Sequence, residues 1–228
     1  MIGVSAPVRV RDLLRRAADG PVRVVHRGSD AVYLAVHDDG RETCVGVLGA
    51  EAVPVPCGLR SRLPSLAVGT AAVHGGVLHL DDEPVVVRRL VDTRVPARSP
   101  LPRTGLRPAP GLPAEVTPAA GAGLVGRGEG LTPLGDDVLC GWLALHRAAG
   151  VATPEVDAAV LAHLHRTTLL SAELLRCALR GEVVPQFGTA AEPAARAALT
   201  VVGHTSGAAM VHGAALALSA LHTEGVAA

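Results

Sequence analysis

The stretch Gly126-Arg-Gly-Glu-Gly-Leu-Thr-Pro-Leu-Gly-Asp-Asp137 runs directly into Val138-Leu-Cys-Gly-Trp-Leu-Ala-Leu145, and the change of pattern at that junction decides the fold class. Four glycines in twelve residues let backbone N–H groups come close to a ligand and permit positive φ. Beyond the loop the apolar period becomes helical: Val138, Leu139, Trp142, Leu143 and Leu145 fall mostly along one face, and Gly150 sits where a C-terminal cap belongs. A helix starting there directs its unpaired N–H groups back toward the loop, a geometry suited to an anion such as phosphate or carboxylate.

Upstream the period is that of strands. Between about Val22 and Leu90, short β-branched runs alternate with turn signals: Val22-Arg-Val-Val-His, Ala31-Val-Tyr-Leu-Ala-Val, Asp38-Asp-Gly, Thr43-Cys-Val-Gly-Val-Leu, Gly75-Gly-Val-Leu-His-Leu and Val85-Val-Val-Arg-Arg-Leu. This predicts a β-rich N-terminal half, either a small barrel-like or an open antiparallel sheet, preceded by a short helix from about Val8 to Ala18. Seven prolines between Val95 and Ala119 resist regular structure. The expected class is α+β, with a β-rich domain over 1–94, a Pro-rich connection over 95–119 and an all-helical domain over 120–228.

Within the helical half, a second helix is expected from Pro154 to Arg180, closed by Gly181. Its apolar stripe carries two hydroxyls, Thr167 and Ser171. A third helix is expected from about Glu192 to Val202, and Gly203-His-Thr-Ser-Gly207 opens a last one carrying Met210, Val211, Ala214, Leu218 and Leu221.

Composition excludes several functions. The chain has 228 residues, 49% of them hydrophobic, enough for a buried core. Net charge is zero and all 21 basic residues are arginine, spread without a dense run, which argues against nucleic acid. Missing lysine rules out a Schiff base and a Walker-type phosphate loop. Tyr33, Trp142 and Phe187 are the only aromatics, too few for stacking platforms. Cys44, Cys57, Cys140 and Cys177 follow no secretory segment and form no CxxC pair, so reduced thiols in a cytoplasmic protein are expected. Gly207 to Leu221 is shorter than the roughly 20 residues of a bilayer crossing and contains His212, so no membrane span is expected.

If the loops at 126–137 and 203–207 converge, then Arg127, Gly128, Gly130, Thr132, Gly135, Thr205, Ser206 and Gly207, with helix hydroxyls, surround a small anionic or amide-bearing ligand. His204 is the candidate for proton transfer, because imidazole titrates near neutrality. Asp136 and Asp137 can grip ligand N–H groups, hold Mg²⁺, pair with Arg127, or simply cap the helix. Plainer readings also stand for the others: a helix-entry residue for His204, and bonds to carbonyls one turn back for Thr167 and Ser171. His163 and His165 flank Leu164 and cannot form an i, i+4 metal pair. Arg88-Arg89 reads as solvated surface.

Three ordered stretches, the glycine loop 126–137, Arg166-Thr-Thr-Leu-Leu-Ser171 and Gly203-His-Thr-Ser-Gly207, resemble the signatures of the AllH-type subunit family of oxamate carbamoyltransferase. The resemblance implies a cytoplasmic protein of nitrogen metabolism, working in an enzyme that moves a carbamoyl group between oxalurate and phosphate. It implies catalytic roles for His204, Asp136 and Asp137, and substrate or anion contacts from the loop residues together with Thr168 and Ser171. No cofactor is implied beyond the optional Mg²⁺. Expected partners are a small anionic or amide substrate, companion carbamoyltransferase subunits and further copies of the chain. The family commonly carries proline at Glu129, serine at Leu134 and an acidic residue at Ala209, so the substrate can differ from oxalurate. A non-catalytic binding or assembly subunit, or a stand-alone enzyme with another substrate, are the alternative readings.

Overall fold

In the computed structural model, which describes residues 1–96, 112–188 and 206–223, the chain separates into two units, Met1–Thr93 and Arg94–Ala228. The first is a nine-stranded, nearly closed barrel-like sheet. Its elements are β1 (Ile2–Pro7), α1 (Val8–Arg16), β2 (Gly20–Pro21), β3 (Arg23–Arg27), β4 (Ala31–Asp38), β5 (Arg41–Leu48), β6 (Gly58–Arg60), β7 (Ala71–His74), β8 (Val77–Leu80) and β9 (Glu83–Val91).

Two-residue turns set the hairpins. Asp39-Gly40, Gly75-Gly76 and Asp81-Asp82 join β4–β5, β7–β8 and β8–β9, each with positive φ at both positions. Such turns twist with the strands they connect, which is why Asp-Gly and Gly-Gly read as hairpin signals. Asp81-Asp82 lacks glycine, but the Asp81 carboxylate accepts from the amides of Gly69 and Thr70 and holds the turn.

Spatial order is β2-β7-β8-β9-β1-β6-β5-β4-β3. The strand least evident in the sequence, β1, lies in the middle, parallel to β9 and antiparallel to β6, and β5 also runs parallel to β6. The sheet is therefore mixed. Alternation along β1 sends Val4 and Ala6 into a core shared with Val32, Leu34 and Val36 of β4, Leu78 and Leu80 of β8, and Val10, Leu13 and Leu14 of α1.

The second unit is helical: α2 (Pro118–Leu124), α3 (Leu134–Ala148), α4 (Pro154–His163), a 3₁₀ turn (Leu164–Arg166), α5 (Leu169–Ala178), α6 (Pro185–Gly188) and α7 (Ser206–Thr223). The single helix expected from Pro154 to Arg180 is two. Thr167 is extended, at φ −120° and ψ 178°, and Thr168 caps α5 by accepting the Ser171 N–H at 3.0 Å. A threonine pair offers the backbone local side-chain bonds that compete with the helix, and here the cap wins. The helix expected over Glu192 to Val202 lies outside the described residues. Among the described residues no helix is long and apolar enough to cross a membrane, and all four cysteines are buried and unbridged.

Helix α3 is buried from Gly135 to His146, so it is the centre of this unit. Its contact with α7 is backbone to backbone. A Cβ on Gly141 would sit 2.0 Å from the Met210 carbonyl oxygen, and one on Gly213 would sit 1.9 Å from that of Val138. No side chain fits between them. Gly213→Ala is therefore expected to lower stability by about 3 kcal/mol or prevent folding of this unit. Urea denaturation followed through Trp142 fluorescence measures this, and an unchanged midpoint would refute so close a packing.

Candidate functional site

The glycine loop is folded around Asp136. Fully buried in the first turn of α3, this carboxylate accepts from the Gly126 amide at 2.8 Å, the Thr167 hydroxyl at 2.5 Å and the Ser171 hydroxyl at 2.7 Å. It thus joins the loop, the break before α5 and α5 itself. Neither of the plain readings holds for these residues: Asp136 does not cap α3, and Thr167 and Ser171 give their protons to Asp136 rather than to carbonyls one turn back.

Glycines make that closure possible. Gly126 has φ +74°, and a Cβ there would lie 2.3 Å from the Arg166 carbonyl oxygen. A Cβ on Gly135 would lie 2.2 Å from the Leu124 carbonyl oxygen. Thr168 adds a fastening by donating to the Leu131 carbonyl at 2.6 Å. Several amides at the start of α3 are also used internally, those of Gly135 by the Arg127 carbonyl and of Asp136 and Asp137 by the Pro133 carbonyl. The exposed part of the loop is Arg127, Gly128, Glu129, Gly130 and Leu131, with open space beside Gly130.

Asp137 is in a different situation. It is 4% exposed, and its Oδ2 has no hydrogen-bond partner among the described residues. Burial pushes its pKa up to about 7, against a hydrogen bond from Ser206 that lowers it, and the neighbouring Asp136 carboxylate pushes it further up. The hydroxyls of Thr132 and Ser206 lie 3.0 Å apart, so Thr132, Ser206 and Asp137 form one hydrogen-bonded chain. Ser206 is the first residue of α7, and Gly207 behind it is buried. An acid poised near neutrality with an oxygen unmatched among the described residues can donate or accept a proton, or hold a ligand amide.

The structure therefore brings together Thr132, Asp137 and Ser206 from two sequence-distant motifs, and gathers Asp136, Thr168 and Ser171 into a supporting framework. His204 and Thr205 lie outside the described residues. Among the described residues, no group of three or more His, Cys, Asp or Glu is arranged to hold a metal ion. Glu129 is exposed, Leu134 opens α3 and Ala209 is buried on α7. A separate cavity of about 660 Å³ has Trp142 and His146 in its wall, their rings 3.9 Å apart, and none of the sequence candidates lines it. The i, i+4 spacing of that pair was the available signal.

Residues 124–218 match the family described as oxamate carbamoyltransferase subunit AllH. The matched span contains all three motifs that carry the resemblance, and the barrel-like unit lies outside it. No curated protein and no solved structure matches the chain at a significant level.

Two outcomes follow for the acids. Asp136→Ala strands one buried and two part-buried donors and is expected to cost about 3 kcal/mol, read by chemical denaturation; a change under about 1 kcal/mol would show that the loop closes without it. For Asp137 the folded carboxyl keeps its proton to pH about 7, whereas the unfolded one releases it near 3.8. Its contribution to stability is intact below the lower value and is lost as pH rises through the upper one. Between pH 5 and pH 8 the parent should lose about 3 kcal/mol relative to Asp137→Asn. Parallel stability curves would refute the raised pKa.

Proposed function

We propose that the helical unit carries the ligand site of a carbamoyltransferase-type protein, acting on a small amide or carboxylate of the oxamate and oxalurate kind. The observation that carries this reading is Asp137, a buried acid poised near pH 7 with one oxygen unmatched among the described residues, bonded to Ser206 where α7 begins. The family description over 124–218 supplies the reaction class.

In the phosphorolytic direction a phosphate oxygen attacks the carbamoyl carbon of oxalurate, a C–O bond forms and the C–N bond breaks. The departing nitrogen takes a proton, leaving carbamoyl phosphate and oxamate. Asp137 would exchange that proton through Oδ2, and Thr132 and Ser206 would hold ligand oxygens. His204, two residues ahead of Ser206 in sequence, is the second candidate for proton transfer. Amides of the exposed segment 128–131 and the start of α7 would stabilise the oxyanion of the tetrahedral intermediate. Asp136 holds this arrangement from behind, as a positioning residue. Leu134 and Ala209, apolar where the family commonly has polar residues, favour a less polar ligand than oxalurate.

The match of residues 124–218 to a family described as a subunit favours a second reading, in which this chain binds ligand and companion subunits complete the chemistry. Calorimetry on the full chain with oxamate, oxalurate, carbamoyl phosphate and phosphate separates binding from turnover. Saturable binding of at least one, weakened about tenfold or more in Asp137→Asn, is expected, since the substitution removes a charge-assisted bond. Equal binding by the variant would sink the role of Asp137. Where turnover is measured, His204→Ala should reduce it about a hundredfold, with unchanged turnover removing His204 from proton transfer.

A further inference from the structure

The barrel-like unit carries a groove of about 510 Å³ whose walls are arginine: Arg60 and Arg62 on one side, Arg88 and Arg89 on the other. Its floor is the outer side of β1, where Gly3 and Ser5 alternate with the core residue Val4. Among the described residues no carboxylate lines it.

A local irregularity aims the arginines. In a regular strand Arg88 and Arg89 would point to opposite faces. Register between β1 and β9 instead steps from Val4↔Val87 to Ser5↔Arg89, so Arg88 is an extra residue, a β-bulge that breaks the alternation and turns both side chains into one groove. Gly3 makes room for the first of them: a Cβ there would meet the Arg88 Cγ at 3.4 Å. From the opposite strand, Ser5 pairs with Arg60.

Among the described residues none of these four guanidiniums meets a carboxylate. Arg60 donates to the Ala50 carbonyl at 3.1 Å and Arg88 reaches the Met1 sulfur at 3.0 Å, both uncharged acceptors. The side chains of Arg62 and Arg89 make no hydrogen bond or ion pair among the described residues. Elsewhere in the same unit Arg11, Arg16 and Arg23 pair with Asp12, Asp38 and Glu42. Four like charges concentrated over a small floor repel one another, and a bound anion relieves that repulsion. Guanidinium forks suit oxyanions, which they grip through two parallel N–H donors. The volume lies in the range of small-molecule sites, and no aromatic side chain lines the groove to stack a base, which disfavours single-stranded nucleic acid.

We propose that this groove is a binding site for a small multivalent oxyanion, a ligand carrying at least two phosphate or carboxylate groups, separate from the site in the helical unit. Pyrophosphate and citrate are the probes, titrated by calorimetry into the full chain, into Arg62→Gln/Arg89→Gln, into Ser5→Asp, which sets a carboxylate on the floor, and into Asp137→Asn. The expected result is one saturable site per chain for at least one probe, weakened at least about tenfold in each groove variant and unchanged in Asp137→Asn. Preference for pyrophosphate or for citrate identifies the phosphate or carboxylate class. Absence of binding by both probes, undiminished affinity in the groove variants that retain the parent's circular dichroism, or loss confined to Asp137→Asn would each overturn the proposal.

Discussion

A single buried carboxylate governs the helical unit. Asp136 takes hydrogen bonds from a glycine amide ten residues upstream and from two hydroxyls more than thirty residues downstream, and through them fixes the loop, the break between α4 and α5, and the start of α3. A charge in that position is tolerable only because its oxygens are satisfied, and removing any partner exposes the others to the cost of an unpaired buried group. The glycines follow from it. With the loop drawn against Arg166 and Leu124, Gly126 and Gly135 are sites where a Cβ has no space.

Adjacent in sequence, Asp136 and Asp137 divide the labour that two neighbouring acids seem at first to share. A helix turns about 100° per residue, so the two side chains leave α3 in different directions. One meets a set of fixed donors and the other a buried position beside Ser206, with one oxygen unmatched among the described residues. Fully satisfied polar groups rigidify a fold, and unsatisfied ones need another explanation. That contrast is why the proposed chemistry is assigned to Asp137 and the architecture to Asp136.

In the barrel-like unit the corresponding constraint is the twist of its hairpins. Three two-residue turns with positive φ fix the pairing of β4–β5, β7–β8 and β8–β9, and the long-range pairings of β1 then join the two groups of strands into one sheet. The bulge opposite β1 is the price of placing two successive arginines on one side. It lies where the smallest floor residues, Gly3 and Ser5, leave the space that the arginine stems occupy.

Local chemistry made much of this legible. Period-2 runs ending in Asp-Gly or Gly-Gly announced the hairpins, period-3.6 leucines and valines announced α3, and the glycine density at 126–135 marked a loop that approaches other backbone closely. These are properties of neighbouring residues, so the chain alone determined them, together with the α+β class. What required the tertiary structure were relations between residues far apart. The central place of β1, the end of α4 before Thr167, the capture of Thr167 and Ser171 by Asp136, and the shared groove of Arg60, Arg62, Arg88 and Arg89 each depend on a pairing across many residues. Arg88-Arg89 read as solvated surface because a two-residue charge run has no local partner, and only the bulge shows that both arginines face the same way. The same holds for the two aspartates: sequence placed them where the glycine loop runs into a helix, and only the packing there decided which one is enclosed by donors and which one keeps an oxygen unmatched among the described residues.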